Sequence, residues 1–95
     1  MILVRIVFQV RQGHIRQAVE GMKQATAHAP NRPRILTDLS GPFNTLVMET
    51  RYASLAAAEE WRNAFFASQE FQQQEAADAD WIVGGANEFY TIEQE

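Results

Sequence analysis

The sequence predicts an α+β domain with the element order β-α-β-β-α-β. Three observations carry this reading. Residues 2–10 alternate as a strand. Residues 13–30 repeat apolar side chains at helical spacing. Residues 34–52, RILTDLSGPFNTLVMETRY, read as two strands joined by a tight turn.

In the opening stretch MILVRIVFQV, Ile2, Val4, Ile6, Phe8 and Val10 share one face by period-two alternation. Leu3, Arg5, Val7 and Gln9 share the other. One face is wholly apolar and the other mixed, which suits a central strand covered on both sides. Arg5 interrupts the apolar run and no small-residue cleavage site follows, so the stretch reads as a strand and not as a signal peptide.

GHIRQAVEGMKQATAHAP follows. Ile15, Ala18, Val19, Met22 and Thr26 make one helical stripe, and Pro30 stops the helix. Pro33 lacks an amide donor near the start of the second strand, which places that strand at a sheet edge. Gly41-Pro42 marks the turn. The third strand is expected over 43–52, with Leu46, Met48 and Tyr52 on one face and Phe43, Thr45, Val47, Glu49 and Arg51 on the other.

Ser54 is placed to cap the next helix. Leu55, Ala58, Trp61 and Phe65 form its stripe. SQEFQQQEAADAD, residues 68–80, reads as a further short and exposed helix whose acidic residues form a solvated face. Gly84-Gly85 reads as a chain break, and ANEFYTIE as the last strand. The whole is the split-βαβ, ferredoxin-like pattern, with an antiparallel four-stranded sheet in the order 4-1-3-2 and both helices on one face.

The 95 residues are enough for one domain, residues 1–95. A chain this short buries only about two-thirds of its unfolded surface, so self-association would help it. The net charge of -4 and eight scattered basic residues make nucleic acid a poor partner. The absence of cysteine removes disulfides and thiolate chemistry. That composition is compatible with a cytoplasmic location. No apolar run approaches the roughly 20 residues needed to span a bilayer, and no membrane association is expected.

The mixed face carries Leu3, Val7 and Val47 beside Arg5 and Glu49. Exposed to water it would be an apolar patch. Inside an ordinary core its charges would be costly. A second copy laid against it satisfies both, so Leu3, Arg5, Val7, Val47 and Glu49 are the expected faces of a homodimer. A cross-strand Arg5–Glu49 pair is expected within it.

The run RILTDLSGPFNTLVMETRYASLAAAEEW resembles the hairpin-plus-helix segment of the dimeric α+β barrel superfamily, in particular its NIPSNAP-like and antibiotic-biosynthesis-monooxygenase-like members. The likeness covers the middle third of the chain; the remainder agrees in element order. It implies two ferredoxin-like sheets packed into one barrel, with a ligand cavity between sheet and helices. It implies activities that range from cofactor-free oxygenation of aromatic polyketides, through haem degradation, to none known. Haem-degrading members use a histidine late in the chain. This sequence has none after His28, which argues against that chemistry.

No motif carries a reaction by itself. His14 and His28 would stand about 21 Å apart on one helix, too far to share an ion, and no metal is expected. No cofactor is expected either. Neither nucleotide-binding glycine pattern is present. The candidates for a ligand pocket are Arg5, Tyr52, Trp61, Phe65 and Tyr90. Trp61 resembles, by its element, the helix tryptophan that some oxygenases place in their cavity, and the packed-core reading stands beside it. Three functions follow. The first is a homodimeric barrel domain that binds a small apolar ligand. The second is a cofactor-independent monooxygenase acting on an aromatic substrate. The third is a protein-interaction module.

Overall fold

The computed structural model describes residues 1–67 and 81–95, with residues 65 and 66 described in backbone only. The elements are β1 (Ile2–Val10), α1 (Ile15–Thr26), β2 (Arg34–Thr37), β3 (Thr45–Tyr52), α2 (Leu55–Phe66) and β4 (Ile82–Thr91). The sheet order is β2-β3-β1-β4 and every pairing is antiparallel. β1 is central and β2, which follows Pro33, is an edge, as the sequence predicts. The helix expected over 68–80 lies outside the described residues.

Register sets the faces. Val4, Ile6 and Phe8 of β1 stand opposite Thr50, Met48 and Leu46 of β3. Directly paired residues project to the same side of a sheet, so the two apolar sets join. α1 closes over them. Ala18 and Met22 bury against Val10, Leu46 and Met48, and Ile6, Phe8, Ile15, Val19, Ile35, Trp81 and Ile82 pack around this cluster.

α1 begins after Gly13, which takes φ +90° where a side chain would be strained. It ends at Thr26, earlier than the full apolar stretch. The Thr26 hydroxyl donates back to the Met22 carbonyl at 2.8 Å, and His28 falls beyond the helix in an exposed turn. α2 starts as expected: Ser54 Oγ accepts the Ala57 N–H at 3.1 Å.

Two boundaries differ from the sequence reading. Phe43 is not in β3; it is 85% exposed in the β2–β3 loop. The strand begins at Thr45, where the Asp38 carboxylate accepts the Thr45 N–H and the Thr45 hydroxyl donates to the Pro42 carbonyl. Gly41 and Asn44, both at positive φ, turn the chain before that point. Second, Gly84-Gly85 is no break. β4 starts at Ile82 and runs through both glycines, with a register shift opposite Gln9 and Val10. A Cβ on Gly85 would stand 2.2 Å from the Val7 carbonyl oxygen. Glycine therefore lets β4 lie close on β1.

This contrast is testable. Gly85→Ala is expected to lower unfolding free energy by about 1–3 kcal/mol, because backbone must move. Gly84→Ala meets nothing within 4 Å and is expected to stay within about 0.5 kcal/mol of wild type. Denaturant unfolding of the two variants measures both, and equal effects would contradict the close-approach argument.

Candidate functional site

The described residues do not fill the sheet's helix-covered face along its whole length. α2 lies against the β3 side. Ala58 is buried, and the Trp61 ring meets the Tyr52 ring at a centroid distance of 6.2 Å and a tilt of 46°. Beyond that contact a groove of about 580 Å³ opens between α2 and the sheet. Its floor is Val4 and Ile6 of β1, Met48, Thr50 and Tyr52 of β3, and Asn87 and Phe89 of β4. Its wall is α2, through Leu55, Ala58, Glu59, Trp61, Arg62 and Asn63. The volume falls within the range of small-molecule sites. Leu55 and Phe89 stand 60% and 49% exposed at the groove, apolar surface that a bound molecule would cover.

The polar side chains at this space are those of Thr50, Tyr52, Glu59, Arg62, Asn63 and Asn87. Thr50 is buried. The Tyr52 phenol is pushed above its ordinary value of 10.0, chiefly because burial disfavours the phenolate, while a hydrogen bond from Thr50 pulls the other way. At neutral pH Tyr52 therefore keeps its proton and acts as a hydrogen-bond donor rather than a base. The Asn63 and Asn87 side chains supply both donors and acceptors.

The five predicted pocket residues separate. Tyr52 and Trp61 come together in the groove. Trp61 is only half-buried, a wall residue and not a member of the central core. Phe65 belongs to α2, but its side chain lies outside the described residues. Arg5 and Tyr90 do not join the groove, and this corrects their assignment as pocket residues. β4 pairs with β1 so that Leu3 faces Tyr90 and Arg5 faces Glu88, while Val4 and Ile6 face Phe89 and Asn87. Odd-numbered residues of β4 thus reach the helix side, and Tyr90 lands on the other.

On that other face Arg5 Nε lies 3.7 Å from Glu49 and 3.9 Å from Glu88, so the expected Arg5–Glu49 pair is present. Arg34 reaches Glu49 at 3.0 Å. The Tyr90 hydroxyl donates to Glu88 at 2.9 Å, and this bond, then the carboxylate's charge, raises its phenol. Leu3 and Val7 are half-buried. Val47 is already 5% exposed within the single chain, flanked in register by Val7 and Leu36, so it is less of an open patch than its sequence suggested.

Sequence reasoning missed Thr50, Arg34 and Glu88. Thr50 was signalled by its place between Met48 and Tyr52 in the same alternation. His14 is structural in its surroundings: it stacks on Trp81 at 5.6 Å and 17°. Among the described residues no three metal-ligating side chains converge, and no helix is long and apolar enough to cross a membrane.

These features define a ferredoxin-like α+β sheet with a groove beneath its second helix. Solved structures share it. An uncharacterised NIPSNAP domain protein from Burkholderia xenovorans aligns over 96% of this chain and 93% of its own, with a TM-score of 0.80 and 16% identity. A NIPSNAP family protein from Agrobacterium tumefaciens aligns over 95% and 90%, with a TM-score of 0.83 and 18% identity. An antibiotic biosynthesis monooxygenase aligns over 99% and 100%, with a TM-score of 0.73 and 13% identity. At such identities the likeness is one of fold. No protein-family model matches the chain, and no curated protein does.

The two tyrosines give a direct check on the site's electrostatics. Tyr90→Phe leaves Tyr52 as the sole tyrosine. Its phenolate absorbance is expected to rise with a midpoint above 10.0, the value for an ordinary phenol. A group whose folded pKa is raised contributes stability that is complete below the unfolded value and is lost as pH climbs through the folded one. Folding stability of this variant should therefore fall above about pH 10. A midpoint at or below the ordinary value would contradict the buried phenol.

Proposed function

We propose that the chain is a homodimeric α+β barrel domain that binds a small, largely apolar molecule in the groove between α2 and the sheet. The observation that carries this is the groove itself: about 580 Å³, with Val4, Ile6, Met48 and Phe89 on its floor and the Tyr52–Trp61 pair at one side. A molecule with an apolar body and one acceptor atom suits it, because Tyr52 offers a protonated hydroxyl beside the apolar floor, and Asn63, Asn87, Glu59 and Arg62 supply the other polar groups. Dimerisation is proposed from the mixed face of the sheet, on which no described helix packs. The cytoplasm is the proposed compartment, on the cysteine-free composition alone.

A cofactor-independent monooxygenase acting on an electron-rich aromatic substrate is the second reading. It draws on the fold shared with an antibiotic biosynthesis monooxygenase and on Trp61 and Tyr52 meeting at the groove. In that reading the substrate supplies the electrons, and the groove holds it and donates a hydrogen bond to its developing anion. Oxygen uptake with a polycyclic phenol separates the readings: turnover supports the enzyme, whereas binding without uptake supports the ligand-binding domain.

Binding is tested with an uncharged naphthyl dye and tryptophan fluorescence. Asn87 is exposed on β4 and lines the groove without joining the core. Asn87→Trp should fill the space and weaken dye binding by at least roughly tenfold, with little change in folding stability. Unchanged affinity in that variant would move the site elsewhere, and no binding to wild type would overturn the groove reading.

A further inference from the structure

A second hollow, of about 540 Å³, lies where β1 and β2 begin and β3 ends. Register sets Leu3 beside Arg51 and Arg34 beside Glu49, so these four project to the face opposite the α2 groove. The turn before β2 adds Arg32, and the segment after β4 adds Ile92 and Glu95. The chain has eight basic side chains and a net charge of -4, yet three of the eight, Arg32, Arg34 and Arg51, line this one hollow. Asn31 holds them together. Its side-chain amide donates to the Arg51 carbonyl at 3.3 Å and ties the turn that carries Arg32 to the end of β3.

The three guanidinium groups are engaged differently. Arg34 meets Glu49, which Arg5 also approaches. Arg51 pairs with the carboxylate of Glu95, and both side chains stay open to solvent, 58% and 55% exposed. Arg32 makes no ion pair among the described residues. We infer that this hollow binds a small organic oxyanion, a carboxylate or a phosphate monoester, which displaces the Glu95 carboxylate from Arg51 and is met by Arg32. The observation that points to such a ligand is Glu95 itself, since the chain already seats an oxyanion on Arg51. The guanidinium fork matches carboxylate and phosphate oxygens alike. Leu3 and Ile92, both half-buried, offer an apolar wall to the body of the molecule. The Ile92 N–H donates to the Met1 carbonyl at 3.1 Å, which anchors that wall, while residues 93–95 are exposed. Glu95 can therefore leave Arg51 without disturbing the sheet, and it acts as a built-in competitor. Arg32 precedes β2 and Arg34 lies on that edge strand, so the hollow stands at the margin of the face proposed to meet a second copy. The inference needs neither that dimer nor the ligand of the α2 groove.

Benzoate, phenyl phosphate and uncharged benzamide are the probes, titrated into the isotope-labelled full chain at constant ionic strength, because salt screens exposed charges. Backbone amide shifts at Arg32, Arg34, Arg51 and Glu95 report binding, and unchanged signals elsewhere confirm the fold of each variant. At least one of the two anions should saturate these shifts with a Kd of about 1 mM, and benzamide should not. The stronger of the two identifies the ligand as carboxylate or phosphate. Glu95→Gln removes the competitor and should tighten binding about threefold, the worth of an exposed ion pair. Glu93→Gln makes the same change in net charge at a residue that does not line the hollow, and should leave the affinity as it is. Arg32→Gln and Arg51→Gln should each weaken binding about fivefold or more. No saturable shift with either anion, equal binding of benzamide, or wild-type affinity in Arg51→Gln would overturn the site. No gain in Glu95→Gln beyond that in Glu93→Gln would overturn it as well, because the anions would then be reading only the charge of the whole chain.

Discussion

Everything in this molecule depends on the antiparallel pairing of β1 with β3 on one side and with β4 on the other. That double register decides what each side chain sees. It gathers Val4, Ile6 and Phe8 with Thr50, Met48 and Leu46 toward the helices, and it lines Arg5 up with Glu49 and Glu88 on the far side. A slip of one residue in either pairing would exchange the faces of a whole strand. The close contact of Gly85 with the Val7 carbonyl helps to hold β4 in its place, since only a residue without a Cβ fits there.

The groove and the charged face are two consequences of the same sheet. α1 covers the half of the helix side that carries Leu46, Met48 and Val10 and closes a core there. α2 rests on Tyr52 through Trp61, and among the described residues none covers the Val4, Ile6 and Phe89 region. On the far side the sheet keeps its charges paired along one line. An alternating line is neutral overall, and it lies on a face that no described helix covers without requiring an isolated ion to be desolvated.

Much of this was legible in the residues. The alternation of Ile2 to Val10, the stripe from Ile15 to Thr26 and the Ser54 cap each rest on local physics, and each appears in the structure. The sheet order followed from Pro33 and from the two-sided character of β1. The Arg5–Glu49 pair needed only one register between adjacent strands. What was not legible depended on backbone geometry between distant segments. Tyr90 went to the wrong face because alternation within a strand does not say which set pairs with β1. That choice is fixed by the β1–β4 register, which a bulge beside the glycines also alters. Phe43 left the strand because side-chain bonds from Asp38 and Thr45 close the loop before it can pair. The groove itself is a matter of where α2 comes to rest, and no local pattern encodes a space.

The central proposal is that one face of the sheet holds a groove and the other meets a second copy of the chain. The chain has no cysteine, so a single spin label introduced at Ala86→Cys is unambiguous. Ala86 pairs with Val7 on the face that no described helix covers, one row from the Arg5–Glu88 pair. Dipolar coupling between labels on the two protomers is the most direct measurement. With sheets packed face to face about 10 Å apart, an intermolecular distance of roughly 20 Å is expected. No intermolecular coupling in a sample that sediments as a dimer would contradict the account, because the copies would then meet through some other surface.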